Sequence, residues 1–316
     1  MTFPSTMSAT TSPPIPRGFS LVELLVASML SLLVMGSVAV LFAEFGRSVS
    51  DGRAMTDLNT RTRNAAWRLR QDLAGLTCVP APRVGVEANA GYFHVIEGSN
   101  SPAPTAPLGD FNDMLALTTS SFSAPFTGRL AGAKGFESPT AEVIWFCEPS
   151  TAFYKGTQLY NLHRRQLLVA ATPQAGNFLP PAPDSERVFD PAWDATNNDL
   201  SYFQHANSLS DLSRRANRFL GASPPTAPPW NRKLTGAREG EDVILGNVVG
   251  FDVKIIRSGV STATDETFET LHDGPVRVEG NAATQPLRAV VVEIRSLEPS
   301  NGEVRELKVV HSFNDF

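Results

Sequence analysis

Between Glu23 and Glu44 the chain runs for twenty residues, Leu24 to Ala43, without a charge, and almost every side chain in the run is apolar. Twenty helical residues span about 30 Å, the thickness of a bilayer's hydrocarbon core. No other feature constrains the fold as much, because such a helix needs an apolar surrounding on every side. A secretory signal peptide has a shorter apolar region, roughly 7–15 residues, followed by a small-residue cleavage site. Here the run is longer, Arg17 is the one basic residue ahead of it, and no A-x-A follows, so the segment is expected to stay with the protein. Glu23 stands at its entrance. A carboxylate there costs a few kcal/mol even on lenient insertion scales, so it is expected to have a role.

The residues around Glu23 suggest that role. A short polar leader is followed by Gly18-Phe19, then Ser20-Leu21-Val22-Glu23, then the apolar helix. The stretch "RGFSLVELLVA" resembles the prepilin signal of type IV pilins and type II secretion pseudopilins, a glycine followed by F-x-x-x-E. The resemblance implies cleavage between Gly18 and Phe19 by a membrane-bound prepilin peptidase on the cytoplasmic face, then N-methylation of Phe19. Glu23 becomes the fifth residue of the mature chain and pairs with the Phe19 amine of a neighbouring subunit. Opposite charges meeting in an apolar bundle attract strongly while either alone is costly, so one glutamate rewards assembly and sets axial register. The implied location is the inner (cytoplasmic) membrane, crossed once, with the globular part on the periplasmic or outer side. A count of basic residues runs against this: Arg47, Arg53, Arg61 and Arg63 follow the span, and only Arg17 and the amino terminus precede it. The motif takes precedence, because it must face a cytoplasmic peptidase.

Beyond the span, Met55, Leu58, Thr62, Ala65, Leu69, Leu73 and Leu76 recur at spacings of three and four, which continues the helix with one apolar face. Gly36, Gly46 and Gly52 are positions where it could loosen. Pro80 and Pro82 end it within residues 77–84. The expected organisation is a leader over 1–18, a long helix over 19–76 with its membrane part at 24–43, and a β-rich body over 77–316. Candidate strands are Tyr92–Ile96, Met114–Thr119, Glu142–Cys147, Gln166–Ala170, Val243–Ile256, Leu287–Ile294 and Val304–Phe313. Asn301-Gly302, between β-branched runs, predicts a C-terminal hairpin. No helix-sized segment alternates with the strands, so a parallel doubly wound sheet is not expected. The fold class is therefore α+β and pilin-like: a long N-terminal helix packed on an antiparallel sheet.

The stretch "EVIWFCEPSTAFYKGTQLYNLHRRQLLVA" resembles J-type minor pseudopilins, in which a strand ending in an aromatic precedes a "LYRR"-like hairpin; here Leu159, Tyr160 and then Leu162-His163-Arg164-Arg165 correspond, with extra residues inserted. Residues 172–242, with "LPPAPD" and "GASPPTAPPW", form a large Pro-rich insertion. Six arginines, at 47, 53, 61, 63, 68 and 70, decorate the helix; a solvated face and contact with acidic surfaces of neighbouring subunits both account for them.

No catalytic motif is found: no G-x-S-x-G, no H-E-x-x-H, no G-x-G-x-x-G. "GRLAGAKG" lacks the glycine before Lys134 and the hydroxyl after it, and reads as a loop. The five histidines never fall at metal-ligand spacing. "DPAWDATNND" lacks the glycine and terminal glutamate of a calcium loop and reads as a turn. Catalytic, cofactor-binding and metal residues are thus expected to be none. Cys78 and Cys147 are open to a disulfide if the body is exported, and equally to two buried thiols. With a net charge of −5 and no basic block, nucleic acid is not an expected partner.

The partners implied by the resemblance are prepilin peptidase, other pilin-like subunits through the helix, and the membrane. The reading is a minor pseudopilin or minor pilin, a structural subunit and not an enzyme. Its large body, about 240 residues, suits a low-copy position. The alternatives are a minor pilin for DNA uptake or adhesion, and an anchored hydrolase or sugar-binding domain that borrows the signal.

Overall fold

The computed structural model describes residues 18–81, 90–98, 110–129, 135–169, 208–213, 218, 241–270 and 285–313. The leader, most of the Pro-rich insertion and "DPAWDATNND" lie outside the described residues. Helix α1 covers Leu21–Ala74, 54 residues, unbroken through Gly36, Gly46 and Gly52. The chain divides within it into two compact units, Met1–Arg53 and Ala54–Phe316. In the first unit the apolar side chains from Phe19 to Phe45 are exposed, and it alone among the described helices is long and apolar enough to cross a membrane. A surface of this kind is stable only against lipid or other apolar helices.

In the second unit the helix is one-sided. Leu58, Thr62, Ala65, Ala66, Leu69, Asp72 and Leu73 are buried, which matches the expected stripe and adds one carboxylate to it. They face a sheet of eight strands: β1 (Phe93–Ile96), β2 (Met114–Ser120), β5 (Thr140–Tyr154), β6 (Thr157–Val169), β7 (Glu241–Arg257), β8 (Phe268–Glu269), β9 (Leu287–Leu297) and β10 (Val304–Ser312). The order across the sheet is β10-β9-β7-β6-β5-β2-β1-β8. All its ladders are antiparallel. A separate hairpin pairs β3 (Phe126–Arg129) with β4 (Gly135–Ser138).

Side chains alternate across a strand, so each central strand supplies two cores. Val143, Trp145 and Cys147 of β5 join Ala65, Leu69 and Leu73 of α1 on the helix side. Ile144 and Phe146 point the other way, to Tyr92, Met114 and Leu212 of the short helix α2 (Leu209–Leu212). A slip of one residue in register would exchange the two sets.

Helix α1 stops at Ala74, two residues short of the expected boundary and well before the prolines. The reason is tertiary. Gly75 lies against the end of β2: a Cβ there would stand 2.2 Å from the Ser120 carbonyl oxygen and 2.4 Å from Thr119 Oγ1. Ser120 N donates to the Gly75 carbonyl at 2.7 Å, and Leu76 bridges to Thr119, so the chain leaves the helix by pairing with the sheet.

Two hairpins divide the sequence expectations. The β9–β10 turn at Asn301-Gly302 forms as expected, with Gly302 at φ 77°. The β5–β6 hairpin is far longer than the strands expected there, which ended at Cys147 and resumed at Gln166. Its turn is Lys155-Gly156, with φ 49° and 84°, the left-handed pair that a two-residue hairpin turn requires.

Candidate functional site

Ser20 is the N-cap of α1. Glu23 N donates to Ser20 Oγ at 3.2 Å and Ser20 N donates to Glu23 Oε2 at 2.9 Å, while Leu24 N makes the first helical bond to the Ser20 carbonyl. This reciprocal pair is a capping box. The Ser-x-x-Glu spacing was present in the sequence and announces it. Two consequences follow from the boundary it sets. Gly18 and Phe19 lie outside the helix and are exposed, so the bond between them has its carbonyl open to attack. The Glu23 side chain is also exposed, held by a backbone N–H one residue from Phe19, at the mouth of the apolar run. Gly18, Phe19 and Glu23, the expected processing and assembly residues, fall within six consecutive positions at the start of α1.

In the body, Asp72 carries a buried polar centre that the sequence reading missed. Arg164 of β6 grips it with both ends of the guanidinium, Nε to Oδ2 at 2.7 Å and Nη2 to Oδ1 at 2.8 Å, and Trp145 Nε1 donates to Oδ2 at 2.9 Å. Both charged side chains are almost wholly enclosed. A bidentate pair with its remaining donors used is the geometry in which a buried ion pair persists. On the other face, Arg218, from the insertion, stacks over Tyr92 at 4.3 Å. It donates to the Leu212 and Thr270 carbonyls at 2.9 and 3.0 Å and pairs with Glu269. At least this part of the insertion is fastened to the sheet.

Glu97, Asp110 and Asp113 offer carboxylate oxygens within 4.8 Å of one another, the one such group among the described residues. Asp113 uses both oxygens on the backbone, accepting from Gly98 N at 3.1 Å and Val253 N at 2.6 Å, which ties β1 and β2 to β7. Burial pushes its carboxyl up to about 8, and burial with the nearby Asp110 charge pushes Glu97 up to about 7. Lys254 partly offsets the shift of Glu97. With Asp113 spent on peptide groups, the cluster reads as a structural tie between strands.

Cys78 and Cys147 are two buried free thiols here, not a bond. Cys78 lies by Thr270, which bonds to Phe93 at one end of β1. Cys147 lies by Asp113, beside the far end of β1 at Ile96. Burial pushes the Cys78 thiol up to about 12 and raises Cys147 as well, so neither is a ready nucleophile. Of the histidines within the described residues, His163 stacks on Phe146, His94 is buried in β1, and His311 sits edge-on to Phe313. No nucleophile, base and orienting group converge among the described residues.

Residues 16–39 match the family described as the prokaryotic N-terminal methylation motif. The chain carries a prepilin-type signal. That signal is shared by type IV pilins and pseudopilins, and the matched stretch contains Gly18, Phe19, Ser20 and Glu23. No curated protein and no solved structure matches the chain. The prepilin-type signal, the exposed apolar helix behind it and the antiparallel body give an α+β, pilin-like, membrane-anchored protein.

Proposed function

We propose that the chain is a minor pseudopilin or minor pilin, a structural subunit that assembles through its N-terminal helix. Prepilin peptidase cuts it between Gly18 and Phe19, and the helix holds it in the inner membrane with the body on the far side. One observation carries this reading: the matched signal stands at the capped start of a helix whose apolar run from Phe19 to Phe45 is exposed. A body of roughly 260 residues from Ala54 onward supports a low-copy position, since bulky bodies crowd a repeated lattice. Glu23 gives the assembly step. It is satisfied locally by Ser20, so the lone subunit tolerates the carboxylate, and the stronger partner is the amine that cleavage creates on a neighbour's Phe19.

Coexpression with a prepilin peptidase tests the proposal. Intact mass should show loss of the first eighteen residues and an N-methylated Phe19. Glu23→Leu should leave membrane insertion intact and remove crosslinking to other pilin-like subunits. An uncut chain, or a cut beyond residue 43, would end the assignment.

A further inference from the structure

From Ala54 onward, the side of α1 opposite the sheet carries Arg63, Trp67 and Arg70, three and four residues apart and so aligned along one face, with Arg68 beside them. Trp67 keeps 60% of its surface open, although its helix has a buried face beside it. The three arginines are exposed and make no ion pair among the described residues. Arg61, on the flank, shows what pairing would look like: it meets Asp57 at 2.6 Å. The carboxylate nearest Arg68 and Arg70 in sequence, Asp72, is turned inward and taken by Arg164. Two guanidiniums, Arg63 and Arg70, thus flank an open indole on one helix face without an ion pair among the described residues, in a chain whose overall charge is −5.

We propose that this face, Arg63, Trp67 and Arg70, is a docking surface for a carboxylate-bearing face of a second pilin-like subunit. The proposal rests on the reading of the chain as such a subunit. Trp and Arg are the residues that dominate interface energetics when a partner covers them, and a planar guanidinium grips carboxylates two bonds at a time. Two like charges, Arg63 and Arg70, on two turns of one face await an anionic surface, which makes the face selective for acidic partners. Lipid headgroups share that charge, but Arg63 follows the apolar run by twenty residues, and an open indole between arginines suits a packed protein contact.

The experiment uses the full chain in membranes that also contain prepilin peptidase and the pilin-like subunits encoded beside it. A photo-crosslinking residue replaces Gln71, next to Trp67, with a second at Leu33 in the apolar run as the reference. The expected result is an adduct from position 71 to a chain with a processed prepilin terminus, mapped to an Asp/Glu-rich peptide. Trp67→Ala and the pair Arg63→Glu/Arg70→Glu should each reduce that adduct at least tenfold, while adducts from position 33 persist. An adduct to phospholipid alone, or one undiminished by charge reversal, overturns the docking surface and leaves the pilin-like reading standing. An uncut chain without adducts from either position overturns both.

Discussion

Asp72 joins elements ninety-two residues apart in sequence, and both of its oxygens are occupied by Arg164, with Trp145 adding a third donor. Removing the carboxylate leaves a guanidinium and an indole N–H without an acceptor in an apolar core. Asp72→Ala should therefore destabilise the body by about 3–5 kcal/mol, read as a lower urea midpoint. The double variant Asp72→Leu/Arg164→Met removes both charges together and should recover most of the loss. If the double variant is as unstable as the single one, the pair is not the unit described. Nothing in the local sequence around residue 72 announces this role: an acid on a helix usually faces water, and only the long β6 strand brings the arginine under it.

At the scale of elements, α1 shows how far local signals reach. Its apolar run and its three-four stripe were both legible, because side-chain periodicity is a local property. Its end was not, since Gly75 is required by the close approach of Ser120 and Thr119, residues on a strand forty-five positions later. Gly75→Ala should push the helix end off β2 and cost about 1–3 kcal/mol, as overpacking does. Proteolysis near residues 75–80 should rise in that variant, and an unchanged pattern would contradict the close contact. The β5–β6 hairpin was implied by the J-type resemblance, but its full length escaped the strand signals for a related reason. Lys155 is an unusual residue for a left-handed turn position, and the polar residues of β6 break the alternation that marks a strand. They are tolerated because they meet partners across the sheet, as Arg164 does.

For the whole molecule, the acidic cluster beneath β1, β2 and β7 sets a pH dependence. Asp113, raised to about 8, and Glu97, raised to about 7, hold protons in the folded state that the unfolded chain releases near 3.8 and 4.5. A group with a raised folded pKa contributes stability that is full below its unfolded value and is lost as pH rises through the folded one. Asp110, Asp252 and Asp265 face the same site and reinforce the trend, and Lys254 opposes it. His311, lowered by burial, pulls the other way only below its usual value near 6.5. Thermal stability should therefore fall between about pH 6.5 and 9. Asp113→Asn, with no proton to lose, should flatten the slope while lowering the plateau, because one backbone N–H loses its acceptor. A melting temperature that rises across that window would refute the account.

By itself, the sequence determined the apolar helix, the prepilin-type signal that contains Gly18, Phe19 and Glu23, most strand positions and the Asn301-Gly302 hairpin. Each of these is written in a short window, as spacing, a motif or a turn dipeptide, and needs no knowledge of what lies across the core. The tertiary structure alone decided where α1 ends, that Asp72 is buried under Arg164, and that Cys78 and Cys147 are both buried. It alone decided that Trp67 stays open between Arg63 and Arg70, which make no ion pair among the described residues. These facts depend on which residues meet across the sheet, and side chains far apart along the chain carry no local mark of their meeting.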